Sequence, residues 1–349
     1  MKALVTGGHG FIGSHIVDRL LDEGIEVRAL VSPWGKLDNL GDVDAREGLE
    51  VVRADITKPE TLAGTCEGCD LVYHSAARVA DWGRWKAFEI ANVEGTKNVL
   101  EQAKRAGVAR WVQVSSVAVH EYSGFRDADP RTTPRGGKIV NYARSKVMAE
   151  DLVTQSGLEY VLVRPGLWPY GPRDPNFPRI LGPLQAGKFP MVRNGRAVIN
   201  MAYVENLAVG FYLAGTVPAA AGKTYVIADE GAPTWREVFD YLAELVEAPT
   251  PGPSLPCWLS KMAGWTVDWT WSLFAPNREP PLSGYAGELM CNDIHFSTAA
   301  AVEELGYRPL VDWREGMRRT VAAMGKGPKA AGVRSPRSCL RPSPRAART

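Results

Sequence analysis

The first 24 residues, MKALVTGGHGFIGSHIVDRLLDEG, change their hydrophobic period once, and that change limits the fold more than anything later. Residues 3–5 are an apolar run fit for a buried strand. Gly7, Gly10 and Gly13 then interrupt the pattern. From Ile12 onward, Ile16, Val17, Leu20 and Leu21 recur on one helical face. Gly24 stands where a helix end favours glycine. The reading is strand, glycine turn, helix. A helix start presents unpaired N–H groups and a partial positive charge, so it suits a phosphate. Gly7 permits the tight turn, Gly10 lets a pyrophosphate approach the backbone, and Gly13 lets the helix pack close to the strand. Phe11 and Ile12 would then lie at the phosphate-facing first turn.

Four further apolar runs follow at 26–31 (EVRALV), 49–53 (LEVVR), 70–74 (DLVYH) and 110–115 (RWVQVS). They alternate with helical patterns, clearest at 91–107 and 141–156. This alternation predicts an α/β fold with a Rossmann-type, doubly wound parallel sheet. Ligands of such sheets sit at the carboxyl ends of the strands. Gly7 to Gly13, Asp55, Ala76 and Ser116 all fall there. Asp55 and Ile56 can bind and cover an adenine, or Asp55 can simply serve a turn. Small residues at Ser75, Ala76 and Ala77 leave room for a cofactor across the strand end. The end of the second strand holds Val31, Ser32 and Pro33, with Lys36 nearby. An NAD enzyme wants a carboxylate there for the ribose hydroxyls. Its absence tilts the expectation from NAD toward NADP, although no arginine stands at that strand end either.

Tyr142 and Lys146 are i and i+4 on the 141–156 helix, hence on one face. A lysine there stabilises phenolate, lowers the phenol pKa and makes the tyrosine a usable acid/base. Ser116, 26 residues before Tyr142, offers a hydroxyl to orient a substrate oxygen.

With these residues assembled, the chain resembles the extended short-chain dehydrogenase/reductase superfamily. The motifs are TGGHGFIG (6–13), Asp55-Ile56, HSAA (74–77), NVEGT (92–96), VSSVAV (114–119), YARSK (142–146), RPGLWPYGP (164–172) and AYVENLA (202–208). The resemblance spans about 1–323. It implies Ser116, Tyr142 and Lys146 as the catalytic set, with Lys146 also on the nicotinamide ribose. It implies Asn92 as a supporting residue of the cofactor site, with Pro165 and Gly166 facing the nicotinamide. ARVADWG (77–83), SSVAVH (115–120) and PPLSGYAGELMCNDIHFS (280–297) are similar to the 3β-hydroxysteroid dehydrogenase-like branch. That branch includes sterol dehydrogenases and reductases of long 2-alkyl-3-oxoalkanoates. Nucleotide-sugar epimerases and dehydratases usually carry Asn and Arg where this chain has Leu167 and Ile199. Neither replacement can hydrogen-bond a nucleotide diphosphate through its side chain.

The expected organisation is a nucleotide domain over 1–167, rejoined by 200–228. A smaller, mostly helical substrate domain is expected over 168–199 and 229–324. Trp82, Leu167, Trp168, Phe177 and Met201 are its candidate substrate contacts, all suited to a bulky apolar alcohol or ketone. The stretch 255–274 (LPCWLSKMAGWTVDWTWSLF) carries four tryptophans. Lys261 and Asp268 interrupt it, so it is a poor membrane span. It reads as a packed core helix or as a lid that touches a membrane surface. Residues 325–349 hold seven of the 41 Lys and Arg and no acid, so the remaining chain is mildly acidic, with 34 basic against 39 acidic side chains. That stretch lacks apolar periodicity and is expected to be a disordered basic tail. Five scattered cysteines and no signal peptide point to a reduced, cytoplasmic setting. The lone Cys66-x-x-Cys69 pair lacks partners for zinc, so no metal is expected. A homodimer and no nucleic-acid partner complete the expectations.

Overall fold

The computed structural model describes residues 1–121, 124–136, 140–274, 280 and 284–325. The expectation of disorder for 325–349 therefore lies almost wholly outside the described residues.

Seven strands form the central sheet: β1 (Lys2–Thr6), β2 (Glu26–Val31), β3 (Leu49–Arg53), β4 (Leu71–His74), β5 (Arg110–Val114), β6 (Tyr160–Pro165) and β7 (Thr224–Ile227). Their order is β7-β6-β5-β4-β1-β2-β3 and every pair is parallel. The order reverses between β1 and β4, the place where such a sheet opens a crevice at its carboxyl edge. Both faces of the sheet are covered. Val5, Ile16, Val27, Val112, Phe211 and Ile227 belong to one core. Leu4, Val72, Val99, Trp111 and Leu162 belong to the other. Alternate residues of one strand serve opposite faces, which is why these strands read as unbroken apolar runs.

Helix α1 (Phe11–Asp22) follows β1 directly, and its end is turned by Gly24 at φ 74°. The expected 91–107 helix is real but starts irregularly. A single turn (Trp85–Phe88) and a π-helical turn (Glu89–Glu94) lead into α2 (Gly95–Arg105). Apolar periodicity carries no sign of such a widened turn. Helix α3 (Asn141–Thr154) carries YARSK as expected. Helix α4 (Val204–Thr216) lies beside α1 over the sheet, and β7 extends the sheet after it.

A second core gathers Tyr170, Phe177, Leu184, Ile199, Met201 and Trp313. Short parallel pairs frame it, such as Trp168–Tyr170 with Met201–Tyr203. The tryptophan-rich stretch is one helix, α5 (Cys257–Phe274), packed on α6 (Gly284–Cys291). Of its 18 residues only Ser260 and Gly264 are buried, which overturns the reading of a packed core helix. Among the described residues no helix is long and apolar enough to cross a membrane. Cys66 and Cys69 are buried thiols whose pKa burial raises, Cys66 to about 11. The described residues contain no cluster suited to a metal ion.

Candidate active site

Each catalytic candidate is set by the end of a strand or one turn of a helix. Ser116 follows β5 in an extended conformation and caps the short turn Val117–Val119, its Oγ accepting from Ala118 N at 3.1 Å. The Ser116 side chain lies near the Tyr142 phenol and favours its ionised form. One turn along α3, Lys146 is 4% exposed and donates from Nζ to Val114 O at 2.7 Å. Its Nζ lies 6.0 Å from the Tyr142 ring centroid. Ser116, Tyr142 and Lys146 thus converge beyond the carboxyl end of β5.

The electrostatics differ from the sequence expectation. Burial raises the Tyr142 phenol to about 12, more than the neighbouring Ser116 side chain lowers it. Burial also pulls the Lys146 ammonium down to about 8, against the attraction of Glu150. The lysine spends a donor on a carbonyl, so the expected depression of the phenol pKa is not what the protein alone provides.

Glu150, one turn further on α3, is fully buried. Arg164 grips it with two hydrogen bonds of 2.8 and 2.7 Å, Ser115 donates to it at 2.6 Å and Arg135 at 3.1 Å. Burial alone would raise this carboxyl, but Arg164, Ser115 and Arg135 hold it below its usual value. Arg164 also reaches His120 Nε2 at 2.9 Å and Pro130 O at 2.8 Å. This cluster fixes α3 against β5 and β6, and with it the rotation of Tyr142 and Lys146.

A second chain of hydrogen bonds ties the strand ends together. Thr6 Oγ1 meets His74 Nδ1 at 2.9 Å, His74 Nε2 meets Thr96 Oγ1 at 3.0 Å, and Thr96 donates to Asn92 O at 2.6 Å. Asn92 Nδ2 donates to Arg78 O and Ser145 Oγ, while its Oδ1 accepts from Arg78 N. Ser145 in turn donates to Tyr142 O at 2.7 Å. Both ends of the Asn92 amide are therefore engaged by protein. Asn92 positions the 78–80 loop and α3, where the sequence reading had it as a cofactor contact.

The glycine turn fits a pyrophosphate. Gly7 has φ +67°, and a methyl on it would come within 2.9 Å of Ala76 Cα. A methyl on Gly13 would fall onto Gly7 O. The N-cap of α1 is Gly10, with no side-chain cap, so the first N–H groups of Phe11, Ile12 and Gly13 face no competing side chain. His9 in the same turn has its Nδ1 buried with no partner, an orphan polar atom at the ligand crevice. At the end of β2, Arg53 donates to Ser32 O, Pro33 O and Gly35 O at 3.1 Å each. An arginine does stand at this strand end, brought by β3. It is 21 residues from Ser32 in sequence, so inspection of the β2 end alone could not find it.

Several candidates take structural places. Asp55 Oδ1 accepts from Thr57 N and Oγ1, which makes it a turn residue on that side. Ile56 packs under α2 against Gly95. Ala76 donates its N–H to Thr6 Oγ1, and Ala77 beside it is half-buried. Pro165 ends β6. Gly166 is hemmed in by the Cβ atoms of Asn200 and Ala228, so its smallness is a packing requirement. Trp82 is half-buried in the loop after β4, beside Gly83, whose carbonyl accepts from Asn141 Nδ2. Leu167 packs between the second core and the cluster that holds Tyr142. Trp168 stacks in the second core against Phe177, Trp235 and Phe239. Phe177 and Met201 are fully buried in that core. They support the substrate side without forming its wall, contrary to expectation. The sequence reading missed Tyr285 of α6, which joins Val117, Ala118 and Phe296 beside Tyr142. It also missed Glu150, whose only signal was its i+4 spacing from Lys146.

The parallel sheet and its glycine turn define a dinucleotide-dependent oxidoreductase, with Ser116, Tyr142 and Lys146 as its candidate reacting groups. The family model described as the NAD dependent epimerase/dehydratase family matches residues 3–228, and the chain belongs to that family. It is similar to a 2-alkyl-3-oxoalkanoate reductase of Stenotrophomonas maltophilia, at 30% identity over 93% of this chain and 99% of that one. It is also similar to a 3 beta-hydroxysteroid dehydrogenase/Delta 5-->4-isomerase of Mycobacterium tuberculosis, at 32% identity over 88% and 86%. Among solved structures, DesIV, a dTDP-glucose 4,6-dehydratase from Streptomyces venezuelae with NAD bound, superposes with a TM-score of 0.73. That likeness has 27% identity and covers 93% of this chain and 97% of the other. The protein is a short-chain dehydrogenase/reductase acting on CH–OH groups.

Proposed function

We propose that the enzyme interconverts a bulky apolar secondary alcohol and its ketone, with NADP(H) as the preferred cofactor. The observation that carries the substrate reading is the apolar core packed beside Tyr142. There Val117, Ala118, Leu167, Tyr285, Leu289 and Phe296 form one apolar cluster. A hydroxyl-rich sugar buried against it would leave polar groups unpaired at about 1–3 kcal/mol each. An apolar ligand would instead gain about 25 cal/mol per Å² of surface buried. Ile199 is sealed in the second core, so it offers nothing to a nucleotide diphosphate. A 3β-hydroxysteroid is the first expectation. A 2-alkyl-3-oxoalkanoate is the second, supported by the relative of that name.

When bound, the nicotinamide supplies or accepts the hydride. The chain's own groups do the rest. The α1 N-terminus and its glycines hold the pyrophosphate. Tyr142 gives a proton to, or takes one from, the substrate oxygen, and Ser116 orients that oxygen. Lys146, held by Val114 O, places a positive charge close to Tyr142. Arg53 and Lys36 at the end of β2 would supply the charge that a 2′-phosphate requires, and Ser32 a hydroxyl donor.

The test is a spectrophotometric panel of 3β-hydroxysteroids, 2-alkyl-3-oxoalkanoates and UDP-sugars with each cofactor. Turnover of either apolar class, faster with NADP(H), is expected. Turnover confined to UDP-sugars, or an NAD(H) preference of about tenfold, equal to about 1.4 kcal/mol, would refute the corresponding half of the reading.

A further inference from the structure

Helix α5 presents an unusual outer face. Trp258, Trp265 and Trp269 are 66%, 69% and 56% exposed, and Met262 and Leu273 are 55% and 58% exposed. At about 100° per residue these five positions fall within an arc of about 80°. Phe274, at the end of the helix, is exposed as well.

The opposite face explains why the apolar groups point outward. Small residues let α5 lie close on α6. A methyl on Gly264 would come 2.5 Å from Gly284 Cα, and one on Gly287 would come 2.6 Å from Ser260 Oγ. Asp268 is turned inward, its carboxylate accepting from Gly284 N at 3.2 Å. Lys261, on the flank, is paired with Glu288 at 3.0 Å. The outer stripe therefore carries no carboxylate and is rich in tryptophan, the residue best suited to the boundary between lipid headgroups and acyl chains.

We infer that this stripe docks on the surface of a lipid bilayer that contains anionic headgroups, with α5 lying in the plane of the interface. Three observations select this occupant. The helix is about 27 Å long and the stripe about 10 Å wide. A second copy would thus bury roughly 300 Å² per partner, well short of the roughly 800 Å² of a stable interface. The helix is also not apolar enough to cross a membrane. Finally, the sequence after residue 325 adds seven basic side chains and no acid, which complements anionic lipid. On its inner side α6 carries Tyr285 and Leu289 to the cluster beside Tyr142. The docked face and the candidate active site are thus two sides of one α5–α6 layer, an arrangement that would serve a lipid-soluble substrate. The docking itself does not depend on which substrate is turned over.

The test is co-sedimentation of the full chain, saturated with NADP, with vesicles of phosphatidylcholine and phosphatidylglycerol. Trp258, Trp265 and Trp269 are then replaced together by Ser. Because all three are exposed, the variant should keep its melting temperature and its affinity for NADP. Vesicle binding should fall by about tenfold, and quenching of tryptophan fluorescence by brominated lipid should fall with it. Absence of binding by the parent chain would overturn the inference. So would equal binding by the variant, which would assign any attraction to the basic segment alone. A dimer of the parent chain that the triple substitution dissolves would also overturn it.

Discussion

His74 offers a direct test of how the site is held together. It is fully buried between Thr6 and Thr96. Thr96 spends its hydroxyl proton on Asn92 O, so it can only accept from His74 Nε2–H. Thr6 then donates to the bare Nδ1 while accepting from Ala76 N. The network thereby assigns the neutral Nε2–H tautomer. A second proton on the ring would strand the Thr6 hydroxyl proton in a dry interior. Burial, aided by the nearby Lys146 charge, lowers the His74 pKa to about 3. The folded value lies below the unfolded value of 6.5, so the folded state favours the neutral ring. The associated stability is complete above pH 6.5 and is lost as the pH falls toward the folded value. At about pH 5 the loss is about 2 kcal/mol, at about 1.4 kcal/mol per pH unit below the unfolded pKa. His15 and His120, both lowered to about 4 chiefly by burial, add similar amounts. The total of about 6 kcal/mol would consume much of the stability of an ordinary domain. Urea unfolding at about pH 7.5 and about pH 5 measures the effect in the parent and in His74→Gln. The parent should lose about 2 kcal/mol more than the variant between the two conditions. Equal losses, or a His74 ring that titrates near 6.5 by NMR, would refute the reasoning.

Other changes probe the remaining parts. Tyr142→Phe should lower turnover by about 10²–10⁴-fold without changing thermal unfolding, as steady-state kinetics and calorimetry would show. Arg53→Ala should weaken NADPH binding by about tenfold relative to NADH, read by fluorescence titration of both. Gly7→Ala forces a side chain into φ +67° and onto the backbone of Ala76. It should cost about 1–3 kcal/mol of stability and weaken both cofactors alike. Glu150→Gln leaves Arg164 buried without its carboxylate, so it should destabilise by about 3–5 kcal/mol. Its midpoint in urea would measure this.

Period, glycine spacing and residue type were enough to locate β1, α1, the alternation of strands and helices, and the Ser116, Tyr142 and Lys146 trio. Each of these rests on contacts within a turn or on a two- or 3.6-residue period, and such signals are local. What depended on distant partners could not be read that way. Arg53 serves the end of β2 because β3 lies beside it. Glu150 meets Arg164 and Arg135 only when α3 lies against the sheet. Phe177 and Met201 looked like pocket residues because apolar character does not distinguish a wall from the core behind it. The tryptophans of α5 posed the same ambiguity, and the tertiary structure settled their exposure through the small residues Ser260 and Gly264 on the opposite face. The phenol of Tyr142 makes the point for chemistry. The spacing to Lys146 could be read along the chain, but the pKa was decided by burial, which raises the phenol more than Ser116 lowers it. The sequence alone therefore determined the fold class and singled out the candidate reacting groups. Only the tertiary structure decided their electrostatics, their supports and the surface left bare, because desolvation and packing depend on residues far apart in the chain.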